Sequence, residues 1–295
     1  MILTVIPTVA ILSFVGWFLG LVVNWLADQL PSIGQPAGEQ NEISESLNVP
    51  PTSIRARLGA PRCSKCDKRR HILGWSGIVS LLARKTKCDQ CGNRLSIRNA
   101  LVEAWMAVAL SYVFLRFELT SLFVVYGCYL IIFTLIAIID IEHRYILNIV
   151  IIPAFAFALV EVFVSGRVAE PRASLAGYAV AQIGVMAIYL FGGAYLWLVN
   201  RRRKDKVEEV AFGFGDVTLA TFCGLLVGSP DVIDMLILMV FVGAVISIGY
   251  FVVRAIVRRE FKSHIPVAYG PAILISAAAM LLWRESVVAL LHAGR

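Results

Sequence analysis

Two carboxylates, two glycines and four thiols are the groups in this chain whose types and spacing can do chemistry. Asp140 closes one apolar run and Asp216 opens another, within FGFGDV at 212–217, beside Gly213 and Gly215. Two acids held close in a partly dry site cannot easily both ionise, so they share a proton. The charged partner can then take a proton from water while the protonated one polarises a peptide carbonyl. That is aspartic-protease chemistry, and such a pair titrates as a unit. Each acid alone has a plainer reading. Asp216 suits a helix N-terminus, where the macrodipole favours negative charge, and Asp140 can simply mark where a helix leaves the bilayer. Gly213 and Gly215 permit close backbone approach and unusual dihedrals, which makes them candidates for binding an extended peptide substrate.

The thiols form two C-x-x-C pairs, Cys63 with Cys66 and Cys88 with Cys91. Each pair can turn two thiolates toward one point, and two such knuckles complete a tetrahedral zinc site. Lys65, Lys68, Arg69, Lys87 and Arg94 lie near enough in sequence to offset the thiolate charge. Disulfides or free thiols are the alternative, and zinc is favoured because disulfides are rare in the cytoplasm, where the loop is placed below. A four-thiolate site has no open position, so the metal's role is structural. His71 reads as a surface or packing residue, and Cys128 and Cys223, alone in apolar runs, as small buried side chains. His143, close to Asp140, reads as an interfacial residue.

These groups sit in a chain of 295 residues that is 59% hydrophobic and only 16% charged, with a mean hydropathy of +0.78. Soluble domains carry about a quarter charged residues. The expected class is therefore an all-α polytopic membrane protein with about eight transmembrane helices. The candidate spans are 1–27, 101–117, 119–139, 145–163, 173–200, 217–230, 235–253 and 265–283. The run at 101–117 carries Glu103 and Arg116, and that at 217–230 is short, so these two are the weakest. The first lacks a basic n-region and reads as a retained anchor. The expected domains are 1–27, a first transmembrane helix; 28–98, a linker and zinc-binding loop; and 99–295, a seven-helix membrane domain.

Lys and Arg collect in cytoplasmic loops. With the N-terminus outside, the internal segments 28–100, 140–146, 200–215 and 254–264 hold 22 of the 27 basic residues. This orientation places Asp140 and Asp216 at the same, cytoplasmic, face. The first half of the large loop is rich in Pro, Gly, Ser and Glu, the composition of a flexible linker. The basic residues follow the membrane rule, so nucleic acid is not an expected partner.

In order and spacing the motifs resemble the type IV prepilin peptidases, the leader peptidases of bacterial type IV pili and type II secretion. The matching stretches are GWFLGLVVNWLADQLP at 16–31, the paired C-x-x-C loop with its tail CGNRLSIRNALVE, the segment from Asp140, GFGD at 213–216 and KSHIPVAYGPA at 262–272. Leu147 stands where the family commonly has proline, and Thr218 where lysine is usual. The resemblance implies a catalytic pair of Asp140 and Asp216. It implies cleavage of the basic leader of prepilins or pseudopilins after a glycine, at the cytoplasmic face of the bacterial inner membrane. It also implies N-methylation of the new N-terminus with S-adenosylmethionine, and work beside the pilus or secretion assembly machinery. Two other classes fit parts of the sequence. One is a proton-coupled transporter using the aspartates as a relay. The other is a zinc-containing membrane module that docks an assembly partner.

Overall fold

Hydropathy this high leaves helices as the economical way to satisfy the backbone in a bilayer, and helices are what form. The computed structural model describes residues 2–31, 63–201 apart from positions 64, 65, 67, 72, 73, 95 and 167, then 213–258 and 268–293. The linker expected before Cys63, the basic run after Arg201, Phe212 and most of KSHIPVAYGPA lie outside the described residues. The helices are α1 (Ile2–Gln29), α2 (Gly77–Leu82), α3 (Ile97–Phe117), α4 (Ser121–His143), α5 (Asn148–Val160), α6 (Pro171–Asn200), α7 (Phe214–Val227), α8 (Val232–Arg258) and α9 (Gly270–His292). A π turn over Glu161–Ser165 prolongs α5. Among the described residues there is no β-strand, and Lys87 and Arg94 form an isolated antiparallel bridge.

Seven of these helices are long and apolar enough to cross a membrane, and α7 is a shorter apolar helix. The two weak runs therefore part ways. The run around 101–117 becomes α3, a full span of 21 residues. The run from 217 becomes a helix of only 14 residues.

The chain divides into two compact units, Met1–Ile138 and Ile139–Arg295, with the division inside α4. In the first unit α1 packs along α3. A Cβ at Gly16 would lie 2.5 Å from the Met106 carbonyl oxygen, and one at Gly20 would lie 2.7 Å from the Glu103 Cα. The small-xxx-small spacing of these two glycines lets the backbones touch. Ser13 and Ser111 hydroxyls meet at 2.8 Å, and Asn24 Nδ2 donates to the Asn99 carbonyl at 3.0 Å.

Glu103, which weakened the sequence case for this span, is fully buried and serves as an anchor. Its carboxylate accepts from Ser76 Oγ (2.6 Å), Gly77 N (2.6 Å), Ile78 N (3.1 Å) and Trp17 Nε1 (3.1 Å). A buried carboxylate is tolerable when its oxygens are saturated in this way. The arrangement ties α2, which follows the first cysteine pair, to α1 and α3.

In the second unit α7 is the centre. Val217, Leu219, Ala220, Phe222, Cys223, Leu225 and Leu226 are all buried, and α7 packs against α6, α9, α8 and α5. Its neighbours instead leave large apolar side chains outward, among them Ile183, Phe191, Val245 and Ile248, as lipid-facing helices do. A helix sheathed by other helices need not match the bilayer thickness, which is why 14 residues suffice. Cys223 is buried as expected, while Cys128 on α4 is only half-buried.

Candidate active site

Asp140 sits on the last turn of α4, whose end is set by Arg144: its φ of 59° is left-handed, and its amide closes on the Asp140 carbonyl at 2.8 Å. The chain then runs through Tyr145 and Ile146 to Leu147, the N-cap of α5. Leu147 has φ −75°, within the range that proline would impose, so the substitution for the family's usual proline preserves the turn. His143 is exposed and its ring lies 5.7 Å from that of Tyr145.

Asp216 lies on the first turn of α7. Its amide donates to the Gly213 carbonyl at 3.1 Å, and the Gly213 amide donates to Asp216 Oδ2 at 3.0 Å. The reciprocal bonds make Asp216 a helix cap, as the plainer reading of this residue held. The glycines do not serve as the dihedral argument expected. Gly213 is extended (φ −83°, ψ 156°), and neither Gly213 nor Gly215 has positive φ. What their small size achieves is proximity. A Cβ at Gly215 would lie 3.4 Å from Ile146, so the turn after α4 rests against the turn that opens α7.

That juxtaposition brings the two acids together within the second unit. Asp140 is within electrostatic reach of Asp216. Asp140 is 4% exposed, whereas Asp216 is half-exposed. A third chain segment joins them. The Gly270 amide, at the start of α9, donates to Asp140 Oδ2 at 3.0 Å, and the phenol of the preceding Tyr269 is within electrostatic reach of Asp216. Each acid thus spends Oδ2 on a glycine amide. Among the described residues no hydrogen bond occupies Oδ1 of either. Two carboxylates of unequal burial, each with Oδ2 held by a glycine amide, thus lie within electrostatic reach of one another.

Sequence reasoning paired Asp140 with Asp216 from their common membrane face and from the family resemblance, and assigned no role to Tyr269 or Gly270. The signal was present in the Tyr-Gly-Pro of KSHIPVAYGPA, but nothing in the spacing says that its glycine amide points at an acid 130 positions earlier.

The four cysteines of the loop also converge, in the first unit. Their Sγ atoms all lie within 4.8 Å of one another. Cys63 and Cys91 are 3.5 Å apart and Cys66 and Cys88 are 3.9 Å apart. These separations are too long for disulfides, and all four thiols are free. They match the edge of a tetrahedron with metal–sulfur bonds of about 2.3 Å, which is about 3.8 Å. The donor set therefore fits zinc. Backbone amides of Gln90 and Cys91 hold the Cys88 thiol below its ordinary value, as a thiolate ligand requires. At Cys91 the Asn93 amide also favours the thiolate, but burial and the three crowded sulfurs prevail and push the thiol up to about 12. His71 is outside the cluster. With Arg69, Arg70, Lys85 and Lys87 it lines a cavity of about 240 Å³ beside Cys88, so two of the five basic residues singled out in the sequence, Arg69 and Lys87, lie in the neighbourhood of that thiol.

The fold and these two sites define a polytopic helical membrane protein with an acid pair and a four-cysteine cluster. Two family profiles match the chain in tandem: the bacterial peptidase A24 N-terminal domain over residues 13–117 and the type IV leader peptidase family over residues 126–248. Taken together the two profiles match the chain to the type IV leader peptidase family over most of its length. It is 26% identical to the prepilin leader peptidase/N-methyltransferase of Stutzerimonas stutzeri, over 93% of this chain and 90% of that protein. It is 28% identical to the protein of the same name from Neisseria gonorrhoeae, over 96% and 92%. The Pseudomonas aeruginosa protein is 26% identical over 96% and 91%. No solved structure matches the chain significantly. None of these similarities favours a transporter or a docking module.

Proposed function

We propose that the protein is an intramembrane aspartic endopeptidase that removes the leader of type IV prepilins or pseudopilins, with Asp140 and Asp216 as its catalytic pair. The observation that supports the reading is the approach of these two acids, at the ends of α4 and α7, to within electrostatic reach, each with Oδ2 held by a glycine amide and, among the described residues, no hydrogen bond on Oδ1. In the reaction one carboxylate, ionised, takes a proton from a water molecule as the water oxygen bonds to the scissile carbonyl carbon. The other, protonated, gives its proton to the carbonyl oxygen. The neutral tetrahedral intermediate then breaks its C–N bond. The amine nitrogen receives the proton held by the first acid, the second recovers its proton from the intermediate's hydroxyl, and the pair is restored.

The positive-inside bias of the loops supports a cytoplasmic position for the pair, in the bacterial inner membrane as the relatives' role implies, where a basic leader ends and a hydrophobic helix begins. Gly213 and Gly215 leave room there for an extended peptide. The N-methyltransferase half of the relatives' name extends the proposal to methylation of the new N-terminus, with S-adenosylmethionine as methyl donor. Cys63, Cys66, Cys88 and Cys91 would hold a structural zinc ion.

The test is incubation of the purified protein with a prepilin and S-adenosylmethionine, followed by mass analysis of the product's N-terminus. Loss of the leader and one added methyl group are expected. Asp140→Asn and Asp216→Asn keep the side-chain size and remove the titration, and each should abolish cleavage while the protein still inserts. Normal cleavage by either variant would refute the pair.

A further inference from the structure

The late Tyr-Gly-Pro element has no part in the chemistry just described, yet its backbone touches one acid and its side chain is within electrostatic reach of the other. Gly270 N donates to Asp140 Oδ2 at 3.0 Å, in a buried bond. A Cβ at position 270 would run into that carboxylate, lying 2.9 Å from its Cγ. Gly270 is itself buried, and it begins α9 with φ outside the left-handed region, so no backbone strain demands glycine there. The demand comes from the carboxylate. Tyr269 is fixed from the other side. Its hydroxyl donates to the Met239 carbonyl of α8 at 3.3 Å, and its ring lies where a Cβ at Gly243 would be, 2.5 Å from the ring edge. Burial, and then the charge of Asp216, push the Tyr269 phenol up.

We infer that Tyr269–Gly270 is a positioning element of the active site. The Gly270 amide locks the Asp140 carboxyl in the rotation that turns Oδ1 toward the shared proton, and the Tyr269 ring, wedged on α8, holds that amide in place. The inference rests on the proposed catalytic pair. A glycine at 270 is then required for proximity to an acid. Docking through the ring also makes the α8–α9 contact part of the machinery, although neither helix carries a catalytic acid.

Kinetics with a prepilin peptide separate positioning from folding. The titratable group within reach of Asp140 is Asp216 on α7, and Tyr269, ahead of α9, is within reach of Asp216 in turn. Glu142, His143 and Arg144 follow Asp140 on its own helix and turn and are exposed. Gly270→Ala should lower kcat by about 100-fold or more with KM nearly unchanged. It should also displace the pH profile of the residual activity, because the shared proton sits in an altered pair. Tyr269→Phe keeps the wedge and loses only the hydroxyl, so it should retain most of kcat, whereas Tyr269→Ala should fall with Gly270→Ala. Melting temperature in detergent reports the fold for each. An unchanged kcat and pH profile in a folded Gly270→Ala protein overturns the inference while leaving the pair intact. Cleavage by Asp140→Asn or Asp216→Asn instead removes the pair on which the inference depends, so the two failures are distinguishable.

Discussion

Gly177 of α6 lies so close to Gly224 of α7 that a Cβ at 177 would strike the Gly224 carbonyl oxygen and approach the Gly228 Cα to 2.6 Å. This contact seats the helix that carries Asp216. Bilayer helices associate by close packing and not by hydrophobic exclusion, so small residues at such crossings determine where a helix can sit. Backbone on both sides leaves no side chain to yield. Gly177→Leu should therefore lower thermal stability in detergent by more than the 1–3 kcal/mol, roughly, of ordinary overpacking, and should abolish cleavage with it. Gly192→Ala, on the same helix with open space around it, should leave both unchanged. Equal melting curves for the two variants would show that α6 and α7 can separate without loss.

Glu103 gives a second prediction, at a distance in sequence from either acid. Removing its carboxylate leaves Ser76 Oγ, two amides and the Trp17 indole without the partner they share. Breaking a buried charged network costs about 3–5 kcal/mol. Glu103→Ala should lower the melting temperature by several degrees and make the segment between Gly74 and Lys87 more open to protease. Glu103→Gln, which keeps one acceptor oxygen, should be milder. Differential scanning fluorimetry and limited proteolysis measure both.

Much of this was legible in the sequence where the signal is a sum over many residues. Among the described residues hydropathy located the seven long apolar helices and the short α7, because burial in lipid is written in composition run by run. The C-x-x-C spacing foretold the sulfur cluster, since two residues between cysteines fix a local turn. What stayed hidden depends on which helix touches which. Glu103 counted against a span until its donors, from α1 and the start of α2, were in place. The short run at 217 looked marginal because sequence does not say that a helix is sheathed by others. Gly213 and Gly215 suggested strained dihedrals, but their φ values are ordinary and their use is proximity, to Asp216 itself and to Ile146.

The cysteine cluster predicts a metal dependence separable from catalysis. Four thiolates close one tetrahedral shell, so the purified protein should carry about one zinc ion per chain. Cys66→Ser should lose it, whereas Cys223→Ser, buried in α7 away from the cluster, should not. Ligand thiols must be deprotonated, so zinc content should fall as pH falls. Elemental analysis across pH checks each statement, and undiminished zinc in Cys66→Ser would rule the site out. Structural zinc supplies folding energy locally, so chelation should loosen residues 63–91 and leave the melting of the second unit, with both acids, little changed.

The glycines before Asp216 allow the sharpest separation of fold from substrate. Gly213 is extended, and a Cβ there would sit 3.5 Å from Asp216 Oδ2, an ordinary contact. Among the described residues nothing in the backbone or the packing excludes alanine. A Gly→Ala change at a compatible position stabilises by about 0.4–1 kcal/mol, through the unfolded chain. Gly213→Ala should therefore be as stable as the parent or slightly more so, with Asp216 still capping α7. If the glycine is there to admit a peptide, the added methyl should raise KM for a prepilin several-fold while kcat stays within about twofold, the pattern of lost uniform binding. Gly215→Ala meets Ile146 at 3.4 Å and should show the same rise in KM with a small loss of stability. Unaltered KM in both would mean that the peptide enters from another side, and that the glycines serve only to let the turn after α4 lie against α7.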